Sequence, residues 1–479
     1  MALAGRVLRG LSLAAVALLF LLFLSPPPAQ GSLKAGQTLA QAGQYRQALA
    51  AYSQAAQLEP WRPRAWLGGA ALRWRLGEIS AAEQSYRTAL SVHPADCAAR
   101  LGLGRVLAAR GEQTASLAAL WPTLAVCPDP EVAYRAGMAA LAAGDFPAAR
   151  EGLQLAGALA DAAGQGALAR QARLNLALLL APEQPDAALA ELAKAQDGAA
   201  PGVLRQQVTA REAVLAARQA GSSGQRDAVL GRGALAVGLV GLAEGYLRRS
   251  LAADPGLAMA QNYLPLALLA AGKGEEAESA AQQALRAHPD SELARYALAA
   301  SERVQGRPGE AILDLKALLA TAPTEPTYLL ELGAACADYG DYESAVTFIA
   351  QAAEQPGATP DVLLGAARFH LDRAYQPERA LTWAEKADAE LRDGESGTAY
   401  GWALHLVGRD EDAMGVLTRA VAQSPLSAEA SYYLGVVCER RGLTVQAVAA
   451  YGRAADLDPL SSSGQRAGRA LLALAARRP

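Results

Sequence analysis

Residues Ala428 to Pro459 read AEASYYLGVVCERRGLTVQAVAAYGRAADLDP. Leu434, Gly435 and Cys438 fall at i, i+1 and i+4, on one stripe of a helix. Gly442 ends that helix, at the place where a left-handed backbone conformation is needed. Ala447, Tyr451 and Ala454 then lie at i, i+4 and i+7 on a second helix, which Pro459 stops. Small residues at Gly435, Ala447 and Ala454 let two backbones approach closely, and Tyr451 fills the space that remains. Neither helix can bury its stripe alone, so such a pair must stack on others.

The same layout recurs at a spacing of 34 residues: Pro60, Pro94 and Pro128; Pro255, Pro289 and Pro323; Pro425 and Pro459. Glycine keeps the period at Gly43, Gly77 and Gly111, at Gly238, Gly272, Gly306 and Gly340, and at Gly408 and Gly442. A fixed period of this length predicts a solenoid, in which each repeat packs on its neighbours. The 479 residues would otherwise suggest about three separate domains.

The layout resembles the tetratricopeptide repeat. Gly36, Leu39, Gly43, Ala48, Tyr52, Ala55 and Pro60 carry it in the first copy, and Trp66, Ala70, Gly77, Ala82, Tyr86, Ala89 and Pro94 in the second. The resemblance covers nearly all of residues 29 to 460. It implies an all-α fold: a right-handed α-solenoid of stacked antiparallel helix pairs, about 11–12 repeats, with a C-terminal capping helix. Composition agrees. Apolar residues make up 52%, much of it alanine, and aromatics only 5%, which favours closely packed helices. The net charge of −3 gives no reason to expect nucleic acid as a partner.

The amino terminus follows another pattern. Arg6 and Arg9 precede the apolar run Leu11 to Leu24, which is followed by Ser25, Pro26, Pro27, Pro28, Ala29, Gln30 and Gly31. This is the layout of an export signal. Two readings stand open: cleavage after Gly31, or retention of residues 11–24 as a membrane anchor. Fourteen helical residues span about 21 Å, short of a hydrocarbon core of about 30 Å. Either way the repeats are expected outside the cytoplasm, periplasmic or at the cell surface. The alanine-rich style together with this signal gives a bacterial impression. No cysteine precedes Cys97, so a lipoprotein anchor is not expected.

The repeat frame also sorts the four cysteines. Cys336 and Cys438 share one repeat position, three whole repeats apart, and are expected as buried free thiols. Cys97 and Cys127 fall at opposite ends of a single repeat, which an antiparallel helix pair brings together. A disulfide there and two separate small core residues are both compatible with the sequence.

The period slips once by a large amount. Pro128 to Pro255 spans 127 residues, where four repeats need 136. One extra element of about 25 residues accounts for this and is placed at 199–223, with a single helix over Val203 to Gln219 and a loop or hinge at Gly221 to Gly224. The organisation expected is a signal or anchor at 1–31, a first sub-array at 32–198, the extra helix and hinge at 199–223, a second sub-array at 224–460, and a capping helix at 461–479. A packed-away insertion without a joint is the other reading of the extra helix. Pro122 and Pro265 sit inside expected helices, and each removes a helical hydrogen bond. Arg466, Arg469, Arg477 and Arg478 interleave with Ala467, Leu471, Leu472 and Leu474, an amphipathic helix suited to cover the last repeat.

No catalytic arrangement is evident, and no cofactor or metal site is expected. His93, His288, His370 and His405 are scattered, and the zinc-protease, paired-cysteine, phosphate-loop and nucleophile-elbow motifs are missing. The expected function is binding of one or more proteins or peptides by a non-enzymatic scaffold. In the family it resembles, positions 2, 5, 6, 9, 12 and 13 of each repeat line a concave groove. Carried over, the candidates are Arg64, Trp74, Arg105, Tyr134 and Arg135 in the first sub-array. In the second they are Arg232, Asn262, Tyr263, Tyr296, Arg303, Trp402, His405, Tyr432 and Tyr433. Arginines and aromatics of this kind dominate interface energetics. The Lys/Asn clamp that some members use for chaperone tails has no counterpart: its slots in the first window hold Leu33, Gln37, Gly68, Ala98 and Gly102. The alternative is an accessory subunit of secretion or surface-polysaccharide assembly. It would recruit a carbohydrate-active enzyme or touch glycan through Trp402, Tyr432 and Tyr433.

Overall fold

The computed structural model describes residues 28–196 and 201–476. Over these residues it contains 26 α-helices, one three-residue 3-10 turn and no strand. The expected export segment, with its apolar run at 11–24, lies outside the described residues. No described helix is long and apolar enough to cross a membrane.

One pair shows why this sequence makes helices of this length. The helix Pro326–Tyr339 starts with proline at its first turn, where a missing N–H costs nothing, and Glu325 accepts from the Thr327 amide. It ends at Gly340, whose φ of 97° is a left-handed conformation that few other residues tolerate. There the amides of Gly340 and Asp341 close back on the carbonyls of Ala337 and Cys336. Asp341 then caps the next helix, Tyr342–Glu354, by accepting from the Ser344 amide. The two helices meet at Gly333, where a Cβ would lie 2.3 Å from Ile349 Cγ1. Leu332, Ala335, Ala345 and Ile349 are buried around that contact. Small residues set the close approach, and branched ones fill what is left.

The chain divides into two compact units, residues 1–112 with 451–479, and residues 113–450. The first unit holds α1 (Pro28–Gln41) with α2 (Tyr45–Leu58), α3 (Pro63–Arg75) with α4 (Ile79–Val92), and α5 (Cys97–Ala109). The second opens with α6 (Gln113–Leu120), then pairs α7 (Pro130–Ala142) with α8 (Phe146–Ala162) and α9 (Gly166–Leu180) with α10 (Pro185–Ala195). A single helix, α11 (Pro201–Arg218), follows. Pairing resumes with α12 (Ser223–Ala236) and α13 (Val240–Ala253), α14 (Ala258–Ala270) and α15 (Gly274–Ala287), and α16 (Glu292–Val304) and α17 (Pro308–Thr321). It continues through α18 (Pro326–Tyr339) and α19 (Tyr342–Glu354), α20 (Pro360–Asp372) and α21 (Pro377–Leu391), and α22 (Gly394–Leu406) and α23 (Asp410–Gln423). The chain then runs through α24 (Ala428–Arg440) and α25 (Thr444–Leu457), and closes in the first unit with α26 (Ser462–Ala476).

Three sequence expectations change. The expected joint at 199–223 is not where the chain divides, because α11 lies inside the second unit. It packs between α10 and α12 and also reaches α21. Arg205 near its start holds both carboxylate oxygens of Asp361, on α20, at 2.9 Å. The hinge shrinks to the few residues after Arg218, since Ser222 is already the cap of α12. Pro122 does not sit inside a helix: α6 stops at Leu120 and Trp121–Thr123 is a 3-10 turn, as a residue that cannot donate would force. Pro265, by contrast, stays inside α14 and is buried there, unable to donate to the Gln261 carbonyl. Finally, α26 does not serve the last repeat alone. A Cβ on its Gly468 would lie 3.3 Å from the Arg75 carbonyl, so the helix is set against the first repeats of its unit.

Cys336 and Cys438 are free and buried, while Cys97 and Cys127 are disulfide-bonded and half-buried.

Candidate functional site

The groove candidates lie on first helices of pairs, and the structure treats them unequally. In the first unit Arg64 is exposed at the first turn of α3 and Arg105 is half-buried on α5. Trp74 does not line an open groove. It is 4% exposed, and its Nε1 donates to the Asp456 carbonyl at 2.7 Å.

In the second unit Tyr134 is partly buried against two small clusters, one with Ala156 and Ala172 and one with Ala160, Leu168 and Ala169. Its hydroxyl accepts from Asn175 Nδ2 at 3.3 Å. Burial pushes the Tyr134 phenol up, against the opposing pull of Asn175 and Arg135. Arg135 pairs with Glu131 one turn back on the same helix, at 2.7 Å. Arg232 on α12 is exposed. On α14, Asn262 accepts from Ser291 Oγ at 2.9 Å, and Tyr263 is half-buried against the core. Tyr296 on α16 sits with its ring 5.8 Å from that of Tyr328, and Tyr328 donates to Glu292 at 3.2 Å. Burial raises both phenols, with the nearby carboxylates adding to it.

Arg303, an expected partner contact, already has partners. It reaches Glu331 at 2.6 Å and Asp338 at 2.9 Å on α18, and Asp338 in turn takes Arg373 beyond α20 at 2.5 Å. These ions form a ladder across three successive repeats. Burial alone would raise the Asp338 carboxyl, but the two guanidiniums hold it below the usual carboxylate range. Glu331 and Asp338 occupy groove positions 6 and 13 of their repeat, so the frame could have found them. Both are acids, outside the aromatic and arginine types that dominate interface energetics. Tyr328 falls at position 3, outside the groove positions, and had no signal.

The aromatic group expected to offer a platform for sugar is packed on itself. Trp402 stacks on Tyr433 with centroids 4.2 Å apart and planes 11° apart, and on His405 at 5.0 Å and 25°. Tyr432 lies 5.5 Å from Tyr433. Tyr433 and His405 are buried, and His405 Nδ1 bonds Asp410 at 2.6 Å. A sugar platform needs an open ring face, and here Trp402 and Tyr433 cover one another.

In the second unit a row runs over three successive first helices: Arg232 on α12, which is exposed, and Asn262 and Tyr263 on α14 and Tyr296 on α16, which are partly exposed. It carries a cation, an amide and phenols on three neighbouring helices, a set suited to hydrogen bonding and stacking with a peptide. Among the described residues no group of three or more His, Cys, Asp or Glu side chains is placed to hold a metal ion.

The tetratricopeptide repeat family model matches residues 67–120, 228–292, 266–326, 296–361 and 407–462, together just over half of the chain. Among solved structures, yeast Tom70 is similar at 13% identity over 94% of this chain and 96% of its own, with a TM-score of 0.43. A tetratricopeptide repeat protein from Parabacteroides merdae is similar at 17% identity over 54% of this chain and 100% of its own, with a TM-score of 0.37. The pilF protein of Pseudomonas aeruginosa is similar at 19% identity over 44% of this chain and 96% of its own, also at 0.37. No curated protein matches the sequence.

Proposed function

Because this chain belongs to the tetratricopeptide repeat family, we propose that it is a non-enzymatic scaffold holding a protein partner against α12, α14 and α16. The observation that carries this reading is the row Arg232, Asn262, Tyr263 and Tyr296 on successive first helices, the first exposed and the other three partly exposed, none of them in an ion pair of the kind that occupies Arg303. The bound segment is an extended or helical peptide with acceptors for Arg232 and an apolar side chain for the phenol rings.

The scaffold acts outside the cytoplasm. Arg6, Arg9 and the run Leu11 to Leu24 support export. The disulfide state of Cys97 and Cys127 suits an oxidising compartment. The glycan-contacting alternative is less favoured, because Trp402 is stacked on the buried Tyr433.

A photo-crosslinking residue placed at Asn262 tests the groove in living cells, with Arg286 on the exposed side of α15 as the control position. Partners joined to position 262 and missing at 286 support the reading, and the same set at both positions rejects it. Export is tested by amino-terminal sequencing. A start near Ser32 marks cleavage, a start at residue 1 or 2 in a membrane fraction marks an anchor, and a soluble cytoplasmic chain starting at residue 1 refutes export.

A further inference from the structure

The first unit is built from two chain segments that no covalent bond joins within it, residues 28–112 and 451–476. Their seam turns on Asp456, 381 residues from Arg75 in the chain. Arg75 grips that carboxylate with two bonds, from Nε to Oδ1 at 2.6 Å and from its terminal nitrogen to Oδ2 at 2.5 Å. Trp74 donates to the Asp456 carbonyl at 2.7 Å. Tyr45, 1% exposed, accepts from the guanidinium through its hydroxyl at 3.3 Å, and its ring centroid lies 5.4 Å from Arg75 Cζ.

The chemistry of this seat is selective. Asp456 lies in the last turn of α25, where the backbone carbonyls have no partner and a negative charge opposes the helix dipole. A free helix end would not favour an aspartate there. Trp74 satisfies the orphan carbonyl and Arg75 neutralises the misplaced charge, so both anomalies of the helix end are resolved by two adjacent residues of α3. Small residues complete the fit: a Cβ on Gly452 would lie 3.7 Å from the Arg75 guanidinium, and one on Gly77 would lie 3.8 Å from the Pro459 carbonyl. A cleft of about 350 Å³ stays unfilled along the seam beside Leu76, Leu460 and Leu472. The junction thus combines a polar lock on a helix end with buried apolar side chains from both segments, Leu72 and Trp74 from one and Tyr451 and Leu471 from the other.

We propose that this seat is a self-recognition site, in which residues 28–112 bind the 451–476 segment of this same sequence, in cis within one chain and in trans between two copies. The contacts are identical in either arrangement, because the two segments meet only through non-covalent bonds, which is the condition for exchange between protomers. The inference goes beyond the scaffold reading and does not depend on what the groove holds.

The test uses two full-length variants, Arg75→Asp and Asp456→Arg. Each alone places like charges across its own seam. Mixed in equal amounts, they restore opposite charges at both seams of a reciprocal dimer. Native mass spectrometry is expected to show a heterodimer in the mixture, monomer for each variant alone, and monomer for the chain carrying both changes. Because a reversal can also loosen the fold, isotopically heavy and light wild-type chains are mixed at low denaturant and returned to buffer as a second measurement. Dimers carrying both labels, or both variants, support the proposal. Monomers throughout both mixtures overturn it.

Discussion

The Tyr246 hydroxyl donates to the Leu178 carbonyl at 2.7 Å, linking α13 to the end of α9 across 68 residues of chain. Leu178 lies in the last turn of α9, where carbonyls lack a helical partner. The bond thus closes a helix end and joins repeats on either side of the inserted α11. Tyr246 is 2% exposed, and burial drives its phenol well above the ordinary value. Tyr246→Phe removes the donor and leaves a buried carbonyl unmet. The expected loss is about 1–3 kcal/mol. Chemical denaturation reads it directly, and an unchanged midpoint with unchanged slope would discount the bond.

Gly152 and Gly157 both lie on α8, one turn and a half apart, and alanine should act on them in opposite directions. A Cβ at Gly152 would meet the Gly137 backbone at 2.8 Å, and backbone cannot move aside as a side chain can. Gly152→Ala is expected to destabilise by about 1–3 kcal/mol. A Cβ at Gly157 finds only Arg173 Cγ at 3.6 Å, an ordinary contact. Gly157→Ala should therefore stabilise by about 0.5–1 kcal/mol through helix propensity. Thermal melts of the two variants that move the same way would contradict this packing.

Glu302 gives the stability a pH dependence. It is 7% exposed and its Oε2 has no hydrogen-bond partner. Burial, reinforced by Asp314 and Glu310 on α17 and by Glu278 on α15 and opposed by Arg307, pushes its carboxyl up to about 7. The folded state then holds a proton that the unfolded chain releases near its ordinary pKa of about 4.3. Between these values the folded state binds more protons, so this group lowers stability as pH rises from about 4.3 to about 7, and the loss levels off above. Glu302→Gln should raise the melting temperature at pH 8 and leave it nearly unchanged at pH 4. An equal rise at both pH values would mean the effect is not ionic.

The cysteines give a simple count. Cys336 and Cys438 are 4% and 2% exposed, and burial pushes both thiols up, so neither should react in the native protein. A thiol reagent is expected to find none in the native chain, Cys336 and Cys438 alone after denaturation without reductant, and all four cysteines after reduction. Reaction of all four before reduction would show that Cys97 and Cys127 are not bridged.

Much of the architecture was legible because the helix pair is a local unit. Gly340, Gly408 and Gly442 mark turns in the sequence and take left-handed conformations in the structure. Ala447, Tyr451 and Ala454, read as one stripe, are all buried. The site was less legible, because position in a repeat says which way a side chain faces and not what faces it. Trp402 and Tyr433 occupy groove positions, yet their rings meet each other. Arg303 meets Glu331 and Asp338 because the next repeat happens to place acids opposite. The Trp74 and Arg75 contacts with Asp456 join residues so far apart in sequence that no periodicity could signal them.

That separation bears on the order in which the molecule can be completed. Synthesis proceeds at about 5–20 residues per second, so the 381 residues between Arg75 and Asp456 take roughly 20–80 s to emerge. Through that interval α1 to α3 exist without the helix end that closes their unit. Trp74 and Tyr45, almost wholly covered in the finished chain, wait with part of their cover missing. The first repeats made are among the last to be finished, and a chaperone that shelters them would have work to do until the final turn of α25 arrives.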